Sequence, residues 1–168
     1  MRSPRLSLAV IGGAVCTPAQ SRLAHETGGE IARAGAVLLC GGRTGVMEAA
    51  ARGAHEAGGL TVGILPGECA SSSPPNQYIE LPIFTGVGQA RNLVLVLSAA
   101  AVIGIGGSWG TLTEISMALK HGRPVVLLDS WKPERPDGRP EPMLHQARTA
   151  TEAVQTALGA IGERKDTT

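Results

Sequence analysis

An apolar run followed by a pair of glycines and then by a helical pattern occurs three times in this chain. The glycine pairs are Gly12-Gly13, Gly41-Gly42 and Gly106-Gly107. Such an apolar run is typical of a buried strand, and glycine lets the backbone turn sharply before the helix that follows. Strands that alternate with helices form parallel sheets. The pattern therefore predicts a doubly wound, Rossmann-like α/β fold, with a mostly parallel sheet and helices on both faces.

The remaining elements follow from apolar periodicity and from capping residues. Strands are predicted at residues 6–11, 36–40, 60–65, 78–84, 100–105 and 125–128, and helices at 18–34, 45–57, 88–98, from 111 and from 150. Pro82 favours an edge position for its strand. The run 93–97 is compatible with a helix or with a strand. Residues 1–168 are read as one nucleotide-binding domain, with an irregular proline-rich segment at 130–145 and a C-terminal helix and tail at 146–168.

Composition narrows the class of protein. The 168 residues carry a net charge of +1 with scattered Lys and Arg, which argues against nucleic acid as a partner. No window approaches the ~20 apolar residues of a membrane span. The cysteines Cys16, Cys40 and Cys69 are odd in number and lack metal-ligand spacing, which favours a reducing, cytoplasmic setting. We expect no metal and no bound cofactor.

Strand order predicts where a ligand binds. If the first three strands step outward in one direction, the strand that ends at Gly106-Gly107 lies on the other side of the first strand. That order places Gly12-Gly13 beside Gly106-Gly107. Ligands of such sheets bind at the carboxyl ends of the strands, where the strand order reverses. The glycine pairs are therefore expected to line one shared site.

The turn between strand and helix at residues 106–111 has the features of an anion site. A helix that begins at Thr111 would direct its free backbone N–H groups and its positive dipole end toward the turn. A phosphate is the expected occupant, and its contacts in the turn are expected to be Gly106, Gly107, Ser108, Gly110 and Thr111. Glu114 lies one helical turn further, facing the bound group.

Each charged candidate has an alternative interpretation. Thr111 and Glu114 also fit a capping box, in which Glu114 only stabilises the helix start. Arg91 lies near a helix start, where the dipole disfavours a cation, so it is better explained as a partner of a phosphate or carboxylate. Arg43 fits either a second phosphate contact or a solvated loop residue. The long polar loop at 66–77 is a candidate lid.

Three segments of the chain resemble a known family. They are GGRTGVMEAAARGAHEAGG at 41–59, ARN at 90–92 and GGSWGTLTEISMALKHGRPV at 106–125. These segments are similar to the LOG (LONELY GUY) phosphoribohydrolases and to the molybdenum-cofactor carrier proteins, once labelled lysine decarboxylase-like. Ile105 stands where LOG enzymes have proline before the glycine pair, which favours the short bacterial branch that includes the carriers.

The resemblance implies a function and a pair of catalytic residues. LOG enzymes cleave the N-glycosidic bond of a nucleoside 5′-monophosphate, and their catalytic arginine and glutamate correspond to Arg91 and Glu114. The implied alternatives are a carrier that binds a phosphorylated pterin without reacting with it and a nucleotide sensor. The resemblance also implies a homodimer. The apolar run 93–97 is a candidate dimer surface, and a role in the core is equally compatible with it.

Overall fold

The computed structural model describes residues 5–165, which form one seven-stranded sheet and five α-helices. The strands are β1 (Ser7–Gly12), β2 (Val37–Cys40), β3 (Thr61–Leu65), β4 (Leu81–Phe84), β5 (Ala101–Gly106), β6 (Val125–Ser130) and β7 (Leu144–Ala147). The helices are α1 (Pro18–Arg33), α2 (Val46–Glu56), α3 (Arg91–Ser98), α4 (Trp109–Lys120) and α5 (Ala150–Lys165). A short 3₁₀ turn, Gly88–Ala90, leads into α3.

All seven strands are parallel and lie in the order β4-β3-β2-β1-β5-β6-β7. The first three strands step outward, and β5 returns to the free side of β1, with Gly12 paired to Ile105. The strand order therefore reverses between β1 and β5, and the predicted doubly wound fold is confirmed. The same order places the glycine turns after β1 and β5 side by side.

The sheet is covered on both faces because alternate residues of its central strands point in opposite directions. Leu8 and Val10 of β1 belong to the cluster that includes side chains of α1, α2 and α5. Ala9 and Ile11 belong to the opposite cluster, with side chains of α3 and α4. Helices α3 and α4 therefore lie together on one face, and their N-terminal ends meet at the carboxyl end of β1.

Capping residues predicted the starts of α1 and α5 correctly. The predicted capping box of α1 is present, since the Thr17 hydroxyl accepts from the Gln20 N–H and the Gln20 side chain accepts from the Thr17 N–H. Thr149 caps α5 by accepting from the Glu152 N–H. The run 93–97 is helical: Leu95 and Val96 are buried against the sheet, while Val94 and Leu97 are about 40% exposed (39% and 42%).

Several predicted boundaries were wrong, and both β4 and α3 begin three residues later than predicted, at Leu81 and Arg91. Helix α4 begins at Trp109 rather than at Thr111, because Ser108 is its N-cap. The segment 130–145 is not irregular throughout, since β7 begins at Leu144 and pairs with β6 from Val125 onward. Strand β7 is half-exposed at the sheet edge and has little apolar alternation, so its pairing with β6 creates a strand that periodicity did not indicate.

The edge position predicted for the Pro82 strand is correct, because β4 ends the sheet. The neighbouring loop 66–77 is tied to the turn after β2, where Asn76 donates from its side chain to the Arg43 carbonyl (2.8 Å) and from its backbone to the Gly42 carbonyl (2.8 Å). Its role as a lid stays a prediction. Within residues 5–165, no helix is long and apolar enough to cross a membrane.

Candidate functional site

A cavity of about 210 Å³ opens at the carboxyl ends of β1 and β2, against the N-terminal ends of α3 and α4. The reversal of strand order creates this position, because the helices that follow β1 and β5 leave the sheet on opposite faces. Its lining includes seven of the residues predicted for the site: Gly12, Gly41, Arg91, Ser108, Gly110, Thr111 and Glu114. The two candidate catalytic residues thus face one cavity, although their roles stay predictions.

Arg91 is the first residue of α3 and is only 9% exposed. Its Nη1 lies 3.9 Å from Oε1 of Glu114, which is an ion pair but too long for a hydrogen bond. Nε and Nη1 are buried without a hydrogen-bond partner in the described residues. A buried donor without an acceptor is costly, and more so when it carries charge. The free N–H groups of Arg91 are therefore suited to an anionic ligand.

Burial also lowers the pKa of the Arg91 guanidinium from its ordinary value. The negative charge of Glu114 opposes this shift, and the nearby positive charge of Arg43 adds to it. A second anion in the cavity would offset the unfavourable burial of this cation. Arg43 itself is exposed and does not line the cavity, so it acts on the site through its charge.

Glu114 is 6% exposed, and burial raises the pKa of its carboxyl from 4.5 to about 7. The neighbouring Arg91 charge works in the opposite direction but is the smaller effect. The carboxyl is therefore divided between its neutral and ionised forms near neutral pH. That places Glu114 where a general acid or base is useful, since proton transfer is most efficient when the pKa lies near the working pH.

The helix cap beside Glu114 does not involve it. The backbone N–H of Ser108 donates to the Thr111 hydroxyl at 3.3 Å, so Thr111 takes the position that the alternative interpretation gave to Glu114. No side-chain hydrogen bond of Glu114 is found in the part of the chain that the structure describes. The capping-box explanation of Glu114 is therefore wrong, and its burial beside Arg91 needs another reason.

Gly41 makes room for the arginine. A Cβ at this position would overlap Nη1 of Arg91 and would lie 2.7 Å from the Met47 sulfur. Gly12 is restricted for a different reason, because a Cβ there would lie 2.5 Å from the Ile105 carbonyl oxygen. The glycine is therefore required by backbone packing at Gly12, whereas Gly41 leaves the space that the ends of the Arg91 and Met47 side chains occupy.

The other predicted phosphate contacts lie outside the cavity. Gly106 and Gly107 have positive φ angles (56° and 114°) and line a neighbouring hollow. A Cβ on Gly107 would lie 2.5 Å from the Thr111 side chain, so this glycine is needed for the turn itself. Gly42 packs against β3, and the Gly13 carbonyl accepts from the Val46 N–H at 3.1 Å. Contact of these four residues with phosphate stays a prediction.

Asn92 was not among the predicted site residues. It lines the cavity beside Arg91, is 7% exposed, and has no partner for its side-chain oxygen. Asn92 belongs to the ARN segment at 90–92, and that resemblance could have indicated it as a site residue. The amide supplies a fixed polar group that is free to bind a ligand hydroxyl or amine.

Comparison with known proteins agrees with this architecture. The molybdenum cofactor binding protein of Rippkaea orientalis is 34% identical and superimposes with a TM-score of 0.80, over 96% of this chain and 99% of that one. The molybdenum cofactor carrier protein of Chlamydomonas reinhardtii is 32% identical, with a TM-score of 0.81 over 94% and 99%. The cytokinin riboside 5′-monophosphate phosphoribohydrolase of Mycobacterium tuberculosis is 31% identical over 116 residues, 65% of this chain and 62% of that protein.

These relatives are the two groups that the sequence segments resemble, so the predicted resemblance is confirmed. The match to a family profile covers most of the chain, from residue 5 to residue 158. It includes all seven strands and both helices that bear Arg91 and Glu114. The chain therefore belongs to the SLOG cluster4 family.

Proposed function

We propose that this protein binds a nucleoside 5′-monophosphate and hydrolyses its N-glycosidic bond, releasing the free base and ribose 5-phosphate. One observation carries the proposal: a buried arginine with two unpaired nitrogens lies 3.9 Å from a buried glutamate, in one cavity. The arginine suits an anion, and the glutamate suits proton transfer. A phosphorylated substrate with a hydrolysable bond uses both.

The phosphate would lie between Arg91 and the N-terminus of α4. The first N–H groups of a helix have no intrahelical acceptor, and the helix dipole favours an anion there. Gly110 is in this first turn and lines the cavity with no atom within 4 Å of a Cβ position, so the backbone is open to a ligand. Arg91 completes the site with N–H groups that lack acceptors.

Glu114 would act at the anomeric carbon. As the C–N bond breaks, positive charge develops on the ribose, and an ionised carboxylate stabilises that charge. Water then attacks the anomeric carbon, and Glu114 accepts its proton. The base leaves with the bonding electron pair and takes up a proton from solvent on its ring nitrogen, and Glu114 returns the proton of the attacking water to solvent. Atoms and charge balance without a metal or a redox partner.

The relatives support both chemistry and binding. The Mycobacterium tuberculosis protein is named for phosphoribohydrolase activity, which matches the proposed reaction class. The Rippkaea and Chlamydomonas proteins are named for binding or carrying the molybdenum cofactor, and they cover this chain more completely. A carrier is therefore the second candidate function, and the presence of one carboxylate rather than two in the cavity favours it.

Incubation with AMP separates the two functions. We expect free adenine and ribose 5-phosphate from the parent protein, measured by chromatography. Glu114→Gln should reduce turnover by about 100-fold with little change in phosphate affinity, the scale of a lost electrostatic contact in the transition state. Arg91→Ala should weaken both binding and turnover, whereas Glu134→Gln, in an exposed loop, should change neither.

Failure of the enzyme proposal has a clear form. If the parent protein cleaves no nucleoside monophosphate with an adenine, guanine or pyrimidine base but binds phosphorylated ligands, the carrier takes its place. If the parent is active and Glu114→Gln is equally active, the reaction class stands and the role given to Glu114 is wrong.

We also propose that the protein is a homodimer. Five large apolar side chains near one edge of the sheet are exposed by about 40–50%: Leu81, Ile83, Val87, Val94 and Leu97. They lie on and beside β4 and on the outer side of α3, the helix that begins with Arg91. A second copy would remove this apolar surface from water and hold the start of α3 in place.

A further inference from the structure

A second hollow, of about 270 Å³, lies on the other side of the turn that precedes α4. Six residues line it: Gln20, Gly106, Gly107, Asp129, Ser130 and Trp131. None of them lines the Arg91 cavity, but Ser108, which does, directly follows Gly107. The same short turn therefore separates the two spaces, and a ligand held at the start of α4 is beside both of them.

Asp129 enters this hollow from a bulge in β6. Ile105 of β5 pairs with Leu128 and Gly106 pairs with Ser130, which leaves Asp129 as the extra residue. Its φ is 48°, the one positive φ outside glycine among residues 5–165. A bulge redirects a side chain, and aspartate is one of the few residues besides glycine that tolerate a positive φ.

The carboxylate of Asp129 has room for a ligand. Its Oδ2 accepts one hydrogen bond, from the Gln20 side-chain amide at 3.1 Å. A carboxylate offers about four acceptor positions, so further donors can bind. Because Gln20 is fixed in turn by the capping box of α1, the carboxylate is oriented before a ligand arrives.

Aromatic surface lies next to this acceptor. Trp131 donates from Nε1 to the Ser108 carbonyl at 3.2 Å and packs against Trp109, with ring centroids 5.3 Å apart. Trp109 is 75% exposed, and these are the two tryptophans of the chain. A fixed indole beside a polar hollow is a stacking surface for a planar heterocycle.

We propose that this hollow binds the ring of the ligand and selects a 2-amino-4-oxopyrimidine edge, the edge shared by guanine and pterin. This inference rests on the proposed phosphate site at the start of α4 and concerns a ligand held without hydrolysis, because the reaction at Glu114 would keep the ring of a nucleotide in the Arg91 cavity. Such an edge presents two adjacent N–H donors, which match the two oxygens of the Asp129 carboxylate. Adenine presents one amino group beside a ring-nitrogen lone pair, and that lone pair would face a carboxylate oxygen. The indoles stack on either ring, so the carboxylate determines the preference.

The test compares GMP, AMP and ribose 5-phosphate as ligands of the parent protein, of Asp129→Asn and of Asp137→Asn. Asparagine tolerates a positive φ, so the first variant keeps the bulge while replacing an acceptor with a donor. Asp137 is exposed in the proline-rich loop and serves as the matched control. Calorimetry gives the affinities, and quenching of tryptophan fluorescence reports occupancy beside Trp109 and Trp131.

We expect the parent and Asp137→Asn to bind GMP at least about tenfold more tightly than AMP, the scale of a charge-assisted hydrogen bond. Asp129→Asn should abolish this preference without changing the affinity for ribose 5-phosphate. Trp131→Leu should weaken both nucleotides and leave ribose 5-phosphate unaffected. A titration with 6-(hydroxymethyl)pterin phosphate distinguishes pterin from guanine. Whichever of this ligand and GMP binds more tightly carries the ring that fits the hollow.

Two results would overturn the inference, and they differ. If ribose 5-phosphate binds but the parent binds GMP and AMP equally, or Asp129→Asn keeps the preference, the ring site is wrong and the phosphate site stands. If neither ribose 5-phosphate nor any of the larger ligands binds, the proposed function is wrong and the ring site is overturned with it.

Discussion

Replacing Glu114 by glutamine should make the stability of the protein depend less on pH. Burial raises the pKa of this carboxyl from 4.5 to about 7, so the folded protein holds a proton that the unfolded chain releases near pH 4.5. Between these values the folded state binds more protons, and the free energy of unfolding must fall as pH rises. At 1.36 kcal/mol per pKa unit, the loss across the window is about 3 kcal/mol. Glutamine has no proton to release and therefore avoids this loss.

Urea denaturation of the parent and Glu114→Gln, at about pH 5 and about pH 8 without ligand, measures the effect. The difference in unfolding free energy between the two proteins should shift by about 2–3 kcal/mol in favour of the variant as pH rises. Glu134→Gln makes the same chemical change on an exposed loop and should follow the parent at both values. If Glu114→Gln also follows the parent, the carboxyl is not held in a desolvated site. A variant that is more stable and less active would show that the site retains Glu114 at the expense of stability.

Three further predictions concern the surroundings of the site. Gly110→Val should weaken phosphate binding by about tenfold or more and leave the fold intact, because the new side chain would extend into open space in the cavity. Gly159→Val, on the exposed side of α5, is the control. If a phosphate titration gives Gly110→Val the same affinity as the parent, the anion does not bind at this turn. Gly41→Ala should displace the Arg91 guanidinium and weaken anion binding, with little change in the melting temperature. Unchanged anion binding would show that Arg91 is not a ligand of the anion. Leu97→Asp should convert the dimer to a monomer in light scattering at micromolar concentration, and a parent protein that is already monomeric would remove the dimer.

The sequence by itself determined the order of the elements from β1 to β6 and, once the first three strands step outward, the place of β5 beside β1. Apolar runs that end in Gly12-Gly13 and Gly41-Gly42 predict strands wherever they occur, and the Thr17 cap marks the start of α1 from a few adjacent residues. These signals are local, because backbone conformation and capping depend on neighbours along the chain. The return of β5 to the free side of β1 followed from the general topology of such sheets.

Only the tertiary structure decided the chemical environment of the candidate residues. Arg91 and Glu114 lie on different helices, and their separation of 3.9 Å and the raised pKa of the glutamate depend on what the sheet and both helices exclude from water.

The glycine turn before α4 and the Asp129 bulge were decided in the same way. Gly107 allows the close packing of the turn against Thr111 and does not line the Arg91 cavity. Asp129 is the extra residue of β6 only because of the register of β6 against β5. Burial and register are properties of packed elements, and neither is encoded in a short stretch of sequence.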